Sequence, residues 1–217
     1  MSALLVLALL LVPVTPLARQ HHQGPPHTFE DVEKWAQEFE SPERLGWQKP
    51  DEVVRELALP VGARLADIGA GSGYFSRRFA GAVGEAGVVY AVDIEPNMLR
   101  YIAARAEKEG QTQIVPVLAT SSNPMLPLGS VDLVFICNTI HHIGERSRYY
   151  QVLKRDLTPS GRLVIVDFQK NGKIPVGPPP EMRIAREDLI SEVTAAGFRL
   201  ARQVEILPYQ YFLIFNR

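Results

Sequence analysis

Apolar positions along this chain follow two alternating rhythms. Short, mostly apolar runs, of the kind buried parallel strands show, occupy residues 64–68, 88–93, 113–118, 131–137 and 161–167. Between them, apolar residues recur at helical spacing over 73–82, 96–109, 145–156 and 185–196, and two closing runs at 199–205 and 209–215 read as strands. This alternation predicts an α/β fold, a doubly wound seven-stranded sheet that is mostly parallel with right-handed crossovers. The link through Leu207 and Pro208 is too short for a crossover helix, so the last two strands must form an antiparallel C-terminal hairpin. Ahead of the sheet, Thr28-Phe29-Glu30-Asp31 fits a helix cap, predicting a helix to Phe39 with Val32, Trp35 and Phe39 on one face. Ser41-Pro42-Glu43 opens a second short turn, and a third helix covers 51–57.

The first residues break this pattern. Residues 1–18 form a hydrophobic targeting or anchor segment, with an apolar run from Ala3 to Val12 that continues through prolines to Leu17. The run has the length of a signal-peptide core rather than of a full membrane span. No Lys or Arg precedes it, and a cut after Ala18 would put Pro16 where a small residue is expected. Export, membrane association through residues 3–17, or a start codon assigned too early with a cytoplasmic protein all fit, and the hydrophobic length favours targeting or anchoring. Residues 19–27, rich in His, Gln and Pro, read as a flexible linker whose His21, His22 and His27 lack acidic or thiol partners for a metal. Residues 28–217 then form one domain with an N-terminal helical lid over 28–58.

A formal charge of −1 argues against a nucleic-acid groove, which would show as a basic stripe. Arg77, Arg78, Arg183 and Arg186 read instead as solvated helix charges. The single Cys137 lies inside an apolar strand and reads as a packed core residue. Oligomeric state is not encoded in any feature of the pattern.

The chemistry concentrates where the first strand ends, at Asp67-Ile68-Gly69-Ala70-Gly71-Ser72-Gly73. Alternate glycines let the chain turn sharply and let a ligand lie against bare backbone. The helix that starts near Gly73 presents free N–H groups to an anion. Asp93, at the tip of the second strand, is placed to accept hydrogen bonds from two ribose hydroxyls. Asp67 would repel a pyrophosphate and favour an ammonium, so the loop suits an amino-acid head better than a dinucleotide.

These residues resemble motif I of the class I S-adenosylmethionine (SAM) dependent methyltransferases, and the likeness continues through Leu126–Val134, Leu157–Asp167 and Glu187–Phe198. The nearest subgroup is the methyltransferase type 11, ubiquinone/menaquinone C-methyltransferase-like group. The resemblance implies a Rossmann-like fold, SAM as cofactor, and methyl transfer to a small or lipid-soluble acceptor. It implies cofactor contacts at Asp67, Gly69, Ala70, Gly71, Gly73, Asp93, Ile94 (packing on adenine) and Asn138. Where relatives place an aspartate after the third strand, this chain offers Ser122 and Asn123, and Asn123 is the candidate acceptor for the adenine amino group. His141 or His142, in the loop after the fourth strand, is the candidate base if the acceptor loses a proton. Asp167, Tyr209 and Tyr211 are secondary candidates, and Trp35 and Trp47 either line the acceptor pocket or staple the lid to the sheet. Two other classes stay open: a non-catalytic SAM-binding protein, and an NAD-dependent oxidoreductase, against which Asp67 and the final hairpin count.

Overall fold

The computed structural model describes residues 31–217, so the apolar segment, the linker with its histidines, and Thr28 lie outside the described residues. Three short helices come first: α1 (Val32–Phe39), α2 (Pro42–Gln48) and α3 (Pro50–Glu56). The cap of α1 is Asp31, whose carboxylate accepts from the Lys34 N–H at 3.0 Å. Pro42 and Pro50 open α2 and α3, where a missing N–H costs nothing, and Lys49 joins them in a left-handed conformation at φ 44°.

The α/β body then runs β1 (Arg64–Ile68), α4 (Tyr74–Val83), β2 (Val88–Asp93), α5 (Pro96–Glu109), β3 (Ile114–Leu118), β4 (Val131–Cys137), α6 (Arg146–Asp156), β5 (Leu157–Phe168), α7 (Arg186–Ala195), β6 (Arg199–Gln203) and β7 (Gln210–Asn216). The seven strands lie in the order β3-β2-β1-β4-β5-β7-β6. β1 to β5 are parallel, and β7 runs antiparallel to both β5 and β6. Strand β5 begins at Leu157 rather than 161, because Leu157 pairs with Val131 across a register shift despite the turn-like Thr158-Pro159-Ser160. Strand β6 stops at Gln203, two residues short of the expected end.

Alternate strand residues feed two cores, as a pleated sheet requires. Leu65, Val89, Phe135 and Val164 pack against α3, α4 and α5. Ala66, Val134, Ile136 and Ile165 pack against α6 and α7. Asp67 falls on the α4 side, which decides its partner below.

Two expectations about surface charge change. The Arg77 side chain is only 12 % exposed and pairs with Glu40 at 2.7 Å and Glu109 at 3.6 Å. Arg183 is buried, its guanidinium donating to the carbonyls of Pro178 and Val176 in the β5–α7 connection. Arg77 meets acids that tertiary folding brings near, and Arg183 folds back onto carbonyls of its own connection, so neither is a solvated helix charge.

Candidate functional site

The carboxyl ends of β1, β2 and β4 open into a cavity of about 550 Å³, within the ~300–1,000 Å³ range of small-molecule sites. Its floor is the glycine loop. Gly69 and Ala70 donate their N–H groups to the Val92 carbonyl, and Gly69 holds φ 72°. A side chain at Gly69 would sit 2.3 Å from Thr139 Oγ1 and 2.9 Å from its Cβ, so β1 and the loop after β4 touch only because this residue is glycine. Gly71, at φ 55°, faces the Phe39 ring of α1, and Gly73 caps α4 away from the cavity wall.

Asp93 is clamped by the loop it serves. Its Oδ2 accepts from the Gly71 N–H at 2.8 Å and its Oδ1 from the Glu95 N–H at 3.0 Å. Burial raises its pKa, and the hydrogen bonds from backbone oppose that. Next to it, Ile94 presents an exposed apolar side chain to the cavity, as packing on a flat base requires.

Asp67 is 3 % exposed and accepts from Ser76 Oγ, on α4, at 2.6 Å. Burial, and then the Asp93 charge, push its carboxyl up to about 6, while Ser76 and the guanidinium of Arg44 pull the other way. Arg44 is a wall residue that sequence reasoning missed. It sits on α2, donates to the Phe39 carbonyl at 2.6 Å and to Gln48 Oε1 at 3.2 Å, and lies over the Tyr74 ring at 4.2 Å. Burial holds its pKa below the usual arginine value.

Asn138 lines the cavity from a left-handed backbone, φ 55°. Its amide closes a ring with two others: Asn138 donates to Gln48 Oε1 at 3.1 Å, Gln48 donates to Gln210 Oε1 at 2.7 Å, and Gln210 donates to Asn138 Oδ1. The ring ties helix α2 to the ends of β4 and β7. No motif marks Gln48 or Gln210, and the signal is only that two glutamines are fully buried.

The third loop departs from expectation. Asn123 Oδ1 accepts from the Met125 N–H at 2.8 Å inside its own turn, so that oxygen is already used locally. Ala119, Thr120 and Ser121 supply the cavity wall there, and Asn123 does not reach it.

The two histidines are set differently. His142 lines the cavity, whereas the His141 side chain is 3 % exposed, with Nδ1 at 2.8 Å from Asp167 on β5. Their rings stand 4.2 Å apart. Trp47 packs 5.6 Å from Phe168 and Trp35 5.7 Å from Phe39, and neither is on the cavity wall. Cys137 is buried at the wall, and burial pushes its thiol up. Tyr211 is buried beside Asp167 in the β5–β7 pairing, and Tyr209 lies outside the cavity wall. Among the described residues no cluster of three or more His, Cys, Asp or Glu side chains could hold a metal ion.

The donor set fits SAM: an acid for an ammonium, a clamped acid for ribose, a glycine floor and an apolar wall for adenine. Buried Ser72 Oγ and Arg44 Nε also reach the cavity residues without a hydrogen-bond partner of their own.

Comparisons with known proteins agree. A family described as "Methyltransferase domain" matches residues 66–165. The ubiquinone/menaquinone biosynthesis C-methyltransferase of Paraburkholderia phymatum is 30 % identical over 119 residues, 54 % of this chain and 48 % of that one. An uncharacterized chloroplastic methyltransferase of Arabidopsis thaliana is 33 % identical over 136 residues, 59 % of this chain and 38 % of its own length. The chain thus spans about half the length, or less, of the curated relatives it matches. A crystal structure of a SAM-dependent methyltransferase from Aquifex aeolicus superposes with a TM-score of 0.79 at 29 % identity, covering 86 % of this chain and 98 % of that one. The [4+2]-cyclase SpnF, with a TM-score of 0.64 and 22 % identity over 73 % of this chain and 60 % of its own, shares the fold alone. Motif, sheet order and relatives converge: residues 66–165 match a methyltransferase domain, and the chain is similar in sequence and fold to S-adenosylmethionine-dependent methyltransferases.

Proposed function

We propose that this chain transfers a methyl group from SAM to a small, lipophilic acceptor. The observation that carries the reading is the single cavity wall on which Asp67, Asp93, the glycine loop and the apolar surface of Ile94, Phe39 and Phe75 meet. When bound, SAM supplies a methyl group on a positively charged sulfur that departs as a neutral thioether. The protein's part is to hold the acceptor in line and to exclude water, which supplies most of the rate in such displacements. Asp67 would hold the ammonium, Asp93 the ribose, and Ile94 the adenine.

Where the acceptor loses a proton, His142, on the cavity wall, takes it. His141, buried with Asp167 at its Nδ1 and its ring 4.2 Å from that of His142, packs behind it. The lipophilic class is supported by the apolar wall, by relatives named for quinone biosynthesis, and by the apolar run at residues 3–17, which would bring the enzyme to a membrane surface.

Calorimetric titration of the full chain with SAM, S-adenosylhomocysteine and NAD tests the cofactor. Saturable binding of the first two, lost in Asp93→Ala, is expected, and binding of NAD alone overturns the proposal. With an acceptor in hand, His142→Ala should lower kcat more than His141→Ala.

A further inference from the structure

Asp167 and His141 form a buried pair that holding the cofactor does not require. Each side chain is 3 % exposed, and the two carboxylate oxygens stand 3.0 and 2.8 Å from the His141 Nδ1. A carboxylate only accepts, so Nδ1 carries the proton. The one other donor to Asp167 is the Phe168 N–H at 2.7 Å, and among the described residues no Lys or Arg pairs with it. Tyr211 stands directly opposite Asp167 across the β5–β7 ladder, yet its hydroxyl, like that of Tyr150 on α6, is buried with no hydrogen-bond partner, so neither phenol competes for the acid. A buried acid held by one imidazole and one amide is costly, and such groups gather at functional sites.

The turn after β4 connects this pair to the cavity. Ile140 is fully buried and pins the turn in the core, and the His142 N–H closes it on the Thr139 carbonyl at 2.9 Å. His141 is thereby directed to Asp167 and His142 to the cavity wall, with their rings 4.2 Å apart and tilted by 45°. Fixed through Nδ1, His141 is a rigid backing for the second ring, and the carboxylate charge lies just behind it in an interior where water screens little. Cys137 on β4, Tyr211 on β7 and Tyr150 on α6 also feel that charge, and burial pushes all three up, so they stay neutral at neutral pH. Arg146 and Glu192, further along, are spent on each other at 2.7 Å.

We propose that Asp167 is a positioning residue for methyl transfer: acting through the Nδ1 of His141, it holds the His142 ring at the cavity wall and stabilises the imidazolium that forms there. The inference rests on the reading of His142 as the base. The proton passes from the acceptor to a ring nitrogen of His142, and Asp167 stays ionised throughout.

The test needs no acceptor. Diethyl pyrocarbonate acylates an accessible imidazole only in its neutral form, so its rate at His142, read on the full chain by peptide mass spectrometry across pH, gives the titration midpoint of that ring. A nearby anion favours the imidazolium. Removing it in Asp167→Asn, or in the smaller Asp167→Ser should the amide disturb folding, is expected to lower the midpoint by on the order of one pH unit, the effect of one charge just beyond a ring at an effective dielectric near 20. Asp167→Glu, which keeps the charge, should restore most of the shift. Tyr211→Phe removes only the unpartnered hydroxyl beside Asp167 and should leave the midpoint where it is. Asp67, Asp93, Glu95, Arg44 and Tyr149 face the same cavity in every variant and cancel from the comparison. Binding of S-adenosylhomocysteine, unchanged across the set, shows the cavity intact. A midpoint unmoved by loss of the Asp167 charge, or moved as far by Tyr211→Phe, means that the pair only packs the turn and overturns the inference, with the cofactor reading untouched. Failure of the unaltered chain to bind S-adenosylhomocysteine removes the methyltransferase reading itself.

Discussion

Asp67→Asn should make the protein more stable and a worse binder at once. In the ligand-free chain the carboxyl is 3 % exposed and its pKa stands at about 6 against an ordinary 3.8, pushed by burial and by Asp93 and opposed by Ser76 and Arg44. A raised pKa means the folded state prefers the protonated acid. Its contribution to stability is therefore fully present below about 3.8, is lost as pH climbs to about 6, and stays lost above. At 1.36 kcal/mol per pKa unit the deficit at pH 7.5 is about 3 kcal/mol, and about half that at pH 5. Asn has the same shape, carries no charge, and can still accept from Ser76 Oγ. The substitution should then raise Tm at pH 7.5 by roughly 6–12 °C, given ~2–4 °C per kcal/mol for a chain of this size. The gain should shrink by about half at pH 5. Asp156, also pushed to about 6 by burial, is present in both proteins and cancels from the comparison. If Asp67 holds the cofactor's ammonium as proposed, affinity for S-adenosylhomocysteine at pH 7.5 should fall roughly tenfold or more, the worth of a charge-assisted contact. Differential scanning calorimetry at the two pH values reads the first effect and titration calorimetry the second. A lower Tm at pH 7.5, or a gain that does not change with pH, would refute the account of Asp67.

Gly69→Ala should cost about 2–5 kcal/mol, combining left-handed strain with the clash against Thr139. Gly110→Ala, at φ 68° with nothing within 4 Å, should cost only the strain, about 1–2 kcal/mol, so equal chemical-denaturation midpoints for the pair would contradict the close approach of β1 and the β4 loop. Gln48→Leu strands the Gln210 and Asn138 amides and should cost about 2–4 kcal/mol by urea unfolding, whereas a neutral result would mean water replaces the ring. Glu40→Gln removes the carboxylate shared by Arg77 and Arg105, all partly exposed, and should cost about 1 kcal/mol at low salt and less in high salt, a dependence that a purely steric role would not show.

The frame was legible because it is written locally. The apolar run of β4 and the helical period of α5, closed by Gly110, predict both elements to the residue. The glycine loop with Asp67 and Asp93 carries a spacing that few other sites need. What stayed hidden comes from distant residues meeting. Arg44 on a short polar helix looks like surface charge until Phe39 and Gln48 surround it, and Gln48 meets Gln210 across 162 positions. Asn123 is engaged for a different reason: followed by Pro124, its side chain accepts from Met125 within its own turn. The early stop of β6 and early start of β5 are boundary effects of register shifts that no local pattern announces.

The Gln48–Gln210 bond also sets a timetable for biosynthesis. The glycine loop leaves the ribosome early, but the partner that locks α2 in place is synthesised 162 residues after Gln48. At ~5–20 residues per second that interval lasts about 10–30 s. During it a nascent chain carries Asp67 and Asp93 without the wall that closes over them. A chain truncated before Gln210 would lack the bond that fastens α2 to β7.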